Sequence, residues 1–302
     1  MDGNYAISES EAFEIKNKLK ENRSHLSDSS VNTYSSTLKN LFYKVFPNST
    51  FDIKLFNKSK EILKYLEDVS PNKRKSILSS LFVLTKDPIY QKNMVQDINN
   101  YVENVKMEVK TPTQENYWIE KDELDSIYNQ IKNKAVYLFK KKELTKEDLN
   151  EIQNYIILSL YTLIPPRRSL DFTEMKIKNI SPDDNHIEKN NFVFTKYKTA
   201  KFNGIQHEEI PKELMSILKK WIKINPTDYL LFDSNKNKLT PSKLTRRINK
   251  IFNKNISTSA LRHLYISHKY QNYIKENKSL ENDMIAMGSS MIQIPQYLKK
   301  DI

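Results

Sequence analysis

The 302-residue chain contains no cysteine and only three glycines. Without cysteine there is no disulfide, zinc–thiolate site, iron–sulfur cluster or cysteine nucleophile. Gly3, Gly204 and Gly288 lie far apart, which excludes a glycine-rich phosphate loop and a dinucleotide-binding GxGxxG turn. The five histidines lack the spacing of metal ligands. The sequence therefore predicts no nucleotide cofactor and no metal site.

Long apolar runs are also missing. No run approaches the ~18 residues of a membrane-spanning helix, and the N-terminus lacks the charged-then-apolar profile of a signal peptide. We therefore expect an intracellular protein. Its 49 Lys and Arg residues exceed its 37 Asp and Glu residues, which gives a net charge of +12. This excess favours a polyanionic partner, with nucleic acid ahead of an anionic membrane because no basic amphipathic anchor is evident.

The N-terminal third has the periodicity of amphipathic helices. Apolar and aromatic residues recur at three- and four-residue spacing in Ser30–Phe46, and similar patterns follow in Ser59–Leu66 and Pro71–Leu84. We predict a small helical bundle over residues 1–110. The polar, proline-containing stretch KTPTQEN comes next and shows no helical periodicity, so we expect a linker at residues 111–117.

Residues 118–302 predict a second domain in which helices surround a small sheet. Three short segments rich in β-branched and aromatic residues predict strands, and Asn203-Gly204 supplies a turn before the last of them. These strands are expected at residues 186–189, 191–197 and 205–210. Helical periodicity is expected at residues 121–139, 147–163, 211–224, 241–252 and 257–270, and in a short segment that ends at Tyr297. The predicted fold class is mainly α (α+β), with a small antiparallel sheet.

The stretch from Ser234 to Lys275 contains no Asp or Glu but many cations. A solvated helix normally alternates the sign of its charges, because unlike pairs four residues apart stabilise it. The missing acids favour a surface that faces phosphates and whose affinity falls steeply with salt, although a merely solvated face is the alternative. The predicted DNA-binding residues are Lys201, Lys243, Arg246, Arg247, Lys250 and Lys254.

Four other segments hold residues that are unremarkable one by one. Arg167 follows a double proline that ends a helix, where an arginine often only neutralises terminal carbonyl groups. Lys198 lies in the predicted hairpin, where a lysine is ordinarily just solvated. Ser259 and Arg262 are three residues apart, which places them on one helical face. Tyr297 is one of seventeen tyrosines.

Taken in order, these segments match a known pattern. They are LIPPRRSLDF, FVFTKYKTAKFNG, STSALRHLYISHKY and MGSSMIQIPQYLK. Over about residues 115–302 the chain resembles the catalytic domain of the tyrosine recombinases, the phage-type integrases, and the preceding bundle resembles their core-binding domain. The double-proline arginine box and the KTAK hairpin are most similar to integrases of large DNA viruses and related mobile elements.

The resemblance implies a role for each of these residues. Arg167, with Arg168 as the adjacent alternative, and Arg262 match the two catalytic arginines. Lys198 matches the hairpin lysine, and Tyr297 matches the nucleophile. The implied reaction is site-specific DNA cleavage and rejoining through a covalent 3′-phosphotyrosine, without metal or ATP. The implied partners are double-stranded DNA and further copies of the chain, four of which assemble on two duplexes.

The chemistry explains why these residue types are needed. A phosphodiester is an anion that repels nucleophiles, so attack requires cationic donors where charge builds up on the non-bridging oxygens. Two guanidinium groups provide planar, paired donors that stay charged at any relevant pH. A phosphotyrosine conserves the energy of the broken bond, and a lysine can protonate the leaving 5′ oxygen.

Two positions depart from the family pattern. Ser259 stands where the family usually has histidine, and Ser289 stands where it has histidine or tryptophan. Serine is a poor base, so Ser259 is expected to bind a phosphate oxygen or position a water, and His263 is either structural or a local substitute for the base. Two alternatives therefore stay open: a DNA-binding relative that has lost catalysis, and a type IB topoisomerase-like nicking and resealing enzyme.

Overall fold

A computed structural model describes residues 8–106, 110–289 and 291. The chain divides into two compact units, with the boundary between Val109 and Lys110. The helices of the first unit are α1 (Glu9–Asn22), α2 (Asp28–Val45), α3 (Ser59–Leu66), α4 (Pro71–Thr85) and α5 (Pro88–Lys106), with a 3₁₀ turn at Ile53–Asn57 before α3.

The first unit forms because amphipathic helices bury one apolar face each. Ser8 and Ser27 cap α1 and α2 by accepting hydrogen bonds from backbone N–H groups of the first turn. Phe42 of α2 is fully buried and contacts the ring of Phe56. The buried Tyr90 hydroxyl donates to the carbonyl of Phe56 over 2.7 Å. The predicted helical bundle is confirmed, and its role as a core-binding domain stays a prediction.

The second unit places nine helices and four strands, among the residues described, around one core. Its helices are α6 (Pro112–Tyr117), α7 (Lys121–Leu138), α8 (Lys146–Thr162), α9 (Ser169–Thr173), α10 (Ala200–Asn203), α11 (Lys212–Ile224), α12 (Pro241–Phe252), α13 (Thr258–Lys269) and α14 (Gln271–Ala286). Its strands are β1 (Met175–Lys176), β2 (Asn185–Glu188), β3 (Asn191–Phe194) and β4 (Gln206–Glu209). The mainly helical α+β class is confirmed. The segment predicted to end at Tyr297 lies outside the described residues.

The four strands form one sheet in the order β1-β2-β3-β4. The pairs β2–β3 and β3–β4 are antiparallel, as predicted, and Val193 of β3 lies opposite His186 on one side and His207 on the other. β1 pairs in parallel with β2 through only two residues, so the sheet is mixed. A two-residue strand has no periodicity for a sequence pattern to reveal.

α6 lies in the stretch where the sequence predicted a linker without helix. Thr111 accepts a hydrogen bond from the backbone of Gln114, and the Gln114 side chain accepts one from the backbone of Thr111. Pro112 fills the first helical position, where its missing N–H has no cost. The capping box therefore starts a six-residue helix that has no apolar periodicity, and Tyr117 at its end packs against the core.

α8 runs through the core of the second unit, and its residues Ile156, Leu158 and Leu160 are buried. Tyr161 at its C-terminal end packs edge-to-face on Phe172 of α9, whose ring in turn contacts two phenylalanines of β3. This aromatic cluster joins the end of α8 to the sheet and fixes the turn between them. None of the described helices is both long and apolar enough to span a membrane.

Candidate active site

The turn between α8 and α9 holds Arg167 in place. Pro165 and Pro166 follow α8 and cannot continue it, because proline lacks the N–H that a helix interior needs. Arg168, the residue before α9, has extended backbone angles (φ −69°, ψ 152°). The chain is therefore extended where it enters α9, and Arg167 lies over a ring of the aromatic cluster. Its guanidinium carbon is 3.8 Å from the centroid of the Phe194 ring.

Three polar groups of the protein already contact the Arg167 guanidinium. Its Nε donates to Oδ2 of Asp171 over 2.9 Å, and one Nη donates to Oε1 of Gln206 over 2.9 Å. The other Nη lies 3.7 Å from Oε1 of Glu208. The side chain is only 18% exposed. Arg167 is therefore rigidly oriented, and much of its donor capacity is used inside the protein.

Asp171 is the buried partner that fixes Arg167. Its side chain is 3% exposed, and its Oδ1 is buried without a hydrogen-bond partner in the described part of the chain. Burial raises the pKa of this carboxyl, and the neighbouring Arg167 opposes that rise. Asp171 was not predicted as a site residue, although an acid four residues after an arginine is a recognisable pairing pattern.

Arg167, Arg168 and Arg262 line one cleft of about 290 Å³. Arg262 reaches it from α13, whose start is capped by Ser257 accepting from the backbone N–H of Ala260 over 3.1 Å. Unlike Arg167, both Arg168 and Arg262 are exposed. The structure thus brings together the arginines that the sequence singled out in two distant motifs. Of the two adjacent candidates for the first catalytic arginine, Arg168 has the more exposed side chain.

The connection from β3 to β4 forms a wall of the same cleft. Tyr197, Thr199 and Gln206 line it, together with the exposed carboxylates of Glu208 and Glu209. None of these five residues was predicted as a site residue, because they come together with the arginines only when the strands pair. Three acids, counting Asp171, and three arginines therefore share this space. An anion that enters must compete with Asp171 and Glu208 for the guanidinium group of Arg167.

Lys198 lies between two residues that line the cleft, and it is exposed. The Tyr197 hydroxyl beside it donates to the carbonyl of Gly204 over 2.8 Å. Gly204 has φ 65° and ψ −157°, a backbone region open essentially to glycine alone. The sequence predicted a turn at Asn203-Gly204 between two strands; Asn203 instead ends the short helix α10, and Gly204 is its C-cap. Lys198 is therefore carried by an ordered connection beside the arginines.

The remaining predicted catalytic residues are not shown together with the cleft. Ser259 is exposed near the start of α13, and Ser289 follows α14, where its N–H donates to the carbonyl of Met284 over 2.8 Å. Neither serine is among the described residues that line the cleft. Tyr297 lies outside the described residues. The roles of these three residues stay predictions.

His263 has a contact outside the arginine cleft. Its Nδ1 lies 3.4 Å from Nε2 of Gln114, a residue of α6, and both side chains are exposed. His263 is not among the described residues that line the cleft. The contact links α13 to the short helix that the sequence did not predict. Within the described residues no cluster of three or more His, Asp or Glu side chains has the arrangement of a metal site.

The structure contradicts a phosphate contact for Arg247. Its Nε donates to Oδ1 of Asn154 over 2.6 Å, and one Nη donates to the backbone carbonyl and the side-chain oxygen of Asn150. Burial against α8 lowers the pKa of this guanidinium to about 10. The sequence did hold a signal, since Leu244 and Ile248 place Arg247 on the apolar face of α12.

Lys243 and Lys254 are also paired within the protein. Lys243 contacts Asp233 at 2.6 Å, and Lys254 contacts Glu123 at 3.1 Å and the carbonyl of Trp118 at 2.9 Å. The acids that neutralise this window therefore come from outside it, which corrects the inference drawn from their absence within it. Arg246, Lys250 and Lys201 are exposed, as a phosphate contact requires.

Neither a protein-family profile nor a curated protein sequence matches this chain. Among solved structures it is similar to a lambda integrase dimer bound to a COC′ core site, with a TM-score of 0.50 and 14% identity over 87% of this chain and 70% of that one. It is also similar to the lambda integrase (75–356) dimer on the same core site, with a TM-score of 0.49 and 14% identity over 88% of this chain and 90% of that one. The chain therefore has the fold of lambda integrase, a tyrosine recombinase.

Proposed function

We propose that this protein is a tyrosine recombinase that cuts and rejoins duplex DNA through a covalent 3′-phosphotyrosine, without metal or ATP. The observation that carries the proposal is the cleft in which Arg167, Arg168 and Arg262 meet. The shared fold supports it, because lambda integrase has been solved as a dimer on a DNA core site. We take the partners to be duplex DNA and further copies of this chain, with four copies in the recombining complex.

In this proposal the cleft holds the scissile phosphate. Arg262 and Arg168 are exposed and provide donors for the non-bridging oxygens, where negative charge builds up during attack. Arg167 is oriented by Asp171 and Gln206 and adds a fixed positive charge at the base of the cleft. Ser259 and Ser289 take the positions of the family's histidines and bind a phosphate oxygen or a water.

Two side chains move protons in this reaction. Tyr297 gives its phenolic proton to a water and attacks phosphorus; the phosphotyrosine bond forms as the bond from phosphorus to the 5′ oxygen breaks. Lys198 protonates that leaving oxygen as a general acid, a role supported by its exposed position beside Tyr197 and Thr199 of the cleft wall. Rejoining reverses these steps, since the phosphotyrosine keeps the energy of the broken bond.

The proposal also includes a relation of this protein to the integrases of large DNA viruses and related mobile elements.

The test is trapping of the covalent intermediate. Nicked suicide duplexes from the ends and junctions of the encoding element are incubated with the protein in the presence of EDTA and without ATP. We expect an SDS-resistant protein–DNA adduct with the wild type and with Tyr273→Phe, which changes an exposed tyrosine of α14. We expect none with Tyr297→Phe. An adduct that persists in Tyr297→Phe would show that another residue is the nucleophile.

A second candidate is a DNA-binding relative without catalysis. It is favoured by the engagement of Arg167 with Asp171, Gln206 and Glu208, and by the two serines at the histidine positions. It predicts tight duplex binding, no adduct with any suicide duplex, and no effect of Tyr297→Phe.

A topoisomerase-like enzyme would instead relax supercoiled plasmid as a monomer, and it would require little of the DNA sequence.

A further inference from the structure

The β3–β4 connection, residues 195–205, presents an apolar side chain to solvent. Phe202 is 88% exposed, more than any other large apolar residue in the described parts of the chain, and Ile205 is 60% exposed. Single exposed apolar residues are common on protein surfaces, so exposure alone decides nothing. The conformation of the connection and the lysines next to Phe202 are more informative than its exposure.

The connection is ordered by its own hydrogen bonds. The backbone N–H of Asn203 donates to the carbonyl of Thr199 over 3.1 Å, and that of Gly204 donates to the carbonyl of Ala200 over 2.9 Å. The Tyr197 hydroxyl also donates to the carbonyl of Gly204. Phe202 is therefore held on a short helical turn, and little ordering entropy is lost when it binds a partner.

The connection is rich in lysine just before this exposed ring. No Asp or Glu occurs from Lys189 to His207, a stretch that also contains Lys196, Lys198 and Lys201. Lys196 pairs with Asp184 at 3.1 Å, whereas Lys198 and Lys201 are exposed. The same connection supplies Tyr197 and Thr199 to the cleft that holds the three arginines. An exposed apolar ring directly after Lys201, on the connection that also supplies two residues to an arginine-lined cleft, fits a ligand with anionic edges and an apolar interior.

Duplex DNA has this combination, since its phosphates lie outside and its stacked bases lie inside. We propose that Phe202 is a wedge that enters a groove of the DNA and packs against a base step beside the phosphate held in the cleft, while Lys201 contacts the backbone. Proteins use apolar wedges in this way to unstack and bend DNA. The inference rests on the proposed function and adds to it a residue that reads the deformability of the target.

The test separates stacking from charge. Binding of duplexes that carry 2-aminopurine at successive positions is measured for the wild type, Phe202→Ala, Phe202→Trp and Lys201→Ala over a range of salt concentrations. We expect Phe202→Ala to raise Kd about tenfold or more, the scale of one base stacked on an aromatic ring, without changing the salt dependence. Lys201→Ala should make the negative slope of log K against log salt shallower by about 0.9, the value for one phosphate contact.

The fluorescence reports the wedge directly. The wild type and Phe202→Trp should raise 2-aminopurine emission at one step, which Phe202→Ala should not. Phe13→Ala, which removes another exposed ring, should match the wild type. Wild-type affinity and emission in Phe202→Ala would overturn the wedge and leave the proposed function intact. A change in self-association alone, measured by sedimentation, would assign Phe202 to a protein interface and also overturn the wedge. A wild type that binds no duplex would overturn both proposals.

Discussion

Two cationic regions of the second unit differ in what their charges already bind. On and next to α12, Lys243, Arg247 and Lys254 contact acids, amides or carbonyl groups of the protein. Around the cleft and the β3–β4 connection, Lys198, Lys201 and Arg262 are exposed, and within the described residues none of the three makes an ion pair. A sequence counts these cations equally. The structure shows that only some of them are open to an external phosphate.

The difference matters because an internal partner must be displaced before a cation can bind an anion. A buried arginine that loses its hydrogen bonds leaves unpaired polar groups, which is more costly than the contact it would gain. An exposed lysine has only water to lose, and DNA binding also releases counterions. We therefore expect DNA affinity to follow the open cations, and stability to follow the paired ones.

The largest expected effect comes from two neighbouring arginines of α12. Arg247→Ala should lower the free energy of unfolding by about 3 kcal/mol, because it removes charged hydrogen bonds and leaves the oxygens of Asn150 and Asn154 unpaired. Arg246→Ala should change stability by less than about 0.5 kcal/mol, since Arg246 is exposed. Urea denaturation measures both values.

The same two variants separate stability from binding. At a temperature where both are folded, Arg247→Ala should bind duplex DNA like the wild type, whereas Arg246→Ala should bind more weakly and with a flatter salt dependence. If Arg247→Ala kept full stability and lost affinity, the buried contacts with α8 would not be its main role. Reversing both charges together, by contrast, would mix the two effects.

Periodicity predicted most of the helices well because each of them buries an apolar face. α3 matches the predicted range, and α4, α7, α8 and α12 differ from it by at most a residue or so at either end. The strand at residues 191–197 was predicted too long. Thr195 and Lys196 turn to bond the side chain of the buried Asn185 instead of continuing the ladder. No local pattern encodes a contact with another strand.

The candidate site was predictable only in part for the same reason. The motifs identified Arg167 and Arg262, because residue type and order carry that information. They did not identify Gln206 as a partner of Arg167 or Glu123 as a partner of Lys254, since these pairs form only when distant segments meet. Charge patterns in a sequence describe what the chain can offer, and the tertiary pairs decide what remains available.

A smaller effect is expected at two lysines of α12. Lys250→Ala should make the negative slope of log K against log salt shallower by about 0.9, the value for the single phosphate contact proposed for this exposed lysine. Lys243→Ala should leave that slope nearly unchanged, because Asp233 already neutralises Lys243 at 2.6 Å. Both slopes are measured by fluorescence anisotropy on one duplex at about four or five salt concentrations. Equal slopes for the two variants would mean that pairing with Asp233 does not withdraw Lys243 from DNA.

The smallest expected effect is a difference in how stability depends on pH at one aspartate of each region. Burial raises the pKa of Asp171 in the cleft, whereas the hydrogen bond from Lys243 lowers the pKa of Asp233 beside α12. The native state therefore binds more protons than the unfolded state at Asp171, so its contribution to stability falls as the pH rises from about 3.9, the ordinary value, through the raised pKa. At Asp233 the native state binds fewer protons, so stability is present above about pH 3.9 and is lost as the pH falls below it.

Thermal unfolding between about pH 3 and pH 7 tests both signs, over the range in which aspartates titrate. Relative to the wild type, Asp171→Asn should gain Tm as the pH rises, because the variant has no buried carboxylate to ionise. Asp233→Asn should be less stable than the wild type near neutral pH and approach it as the pH falls, because both proteins then lack the ion pair with Lys243. Shifts of the same sign in the two variants would mean that the ion pair with Arg167 outweighs the burial of Asp171 and lowers its pKa.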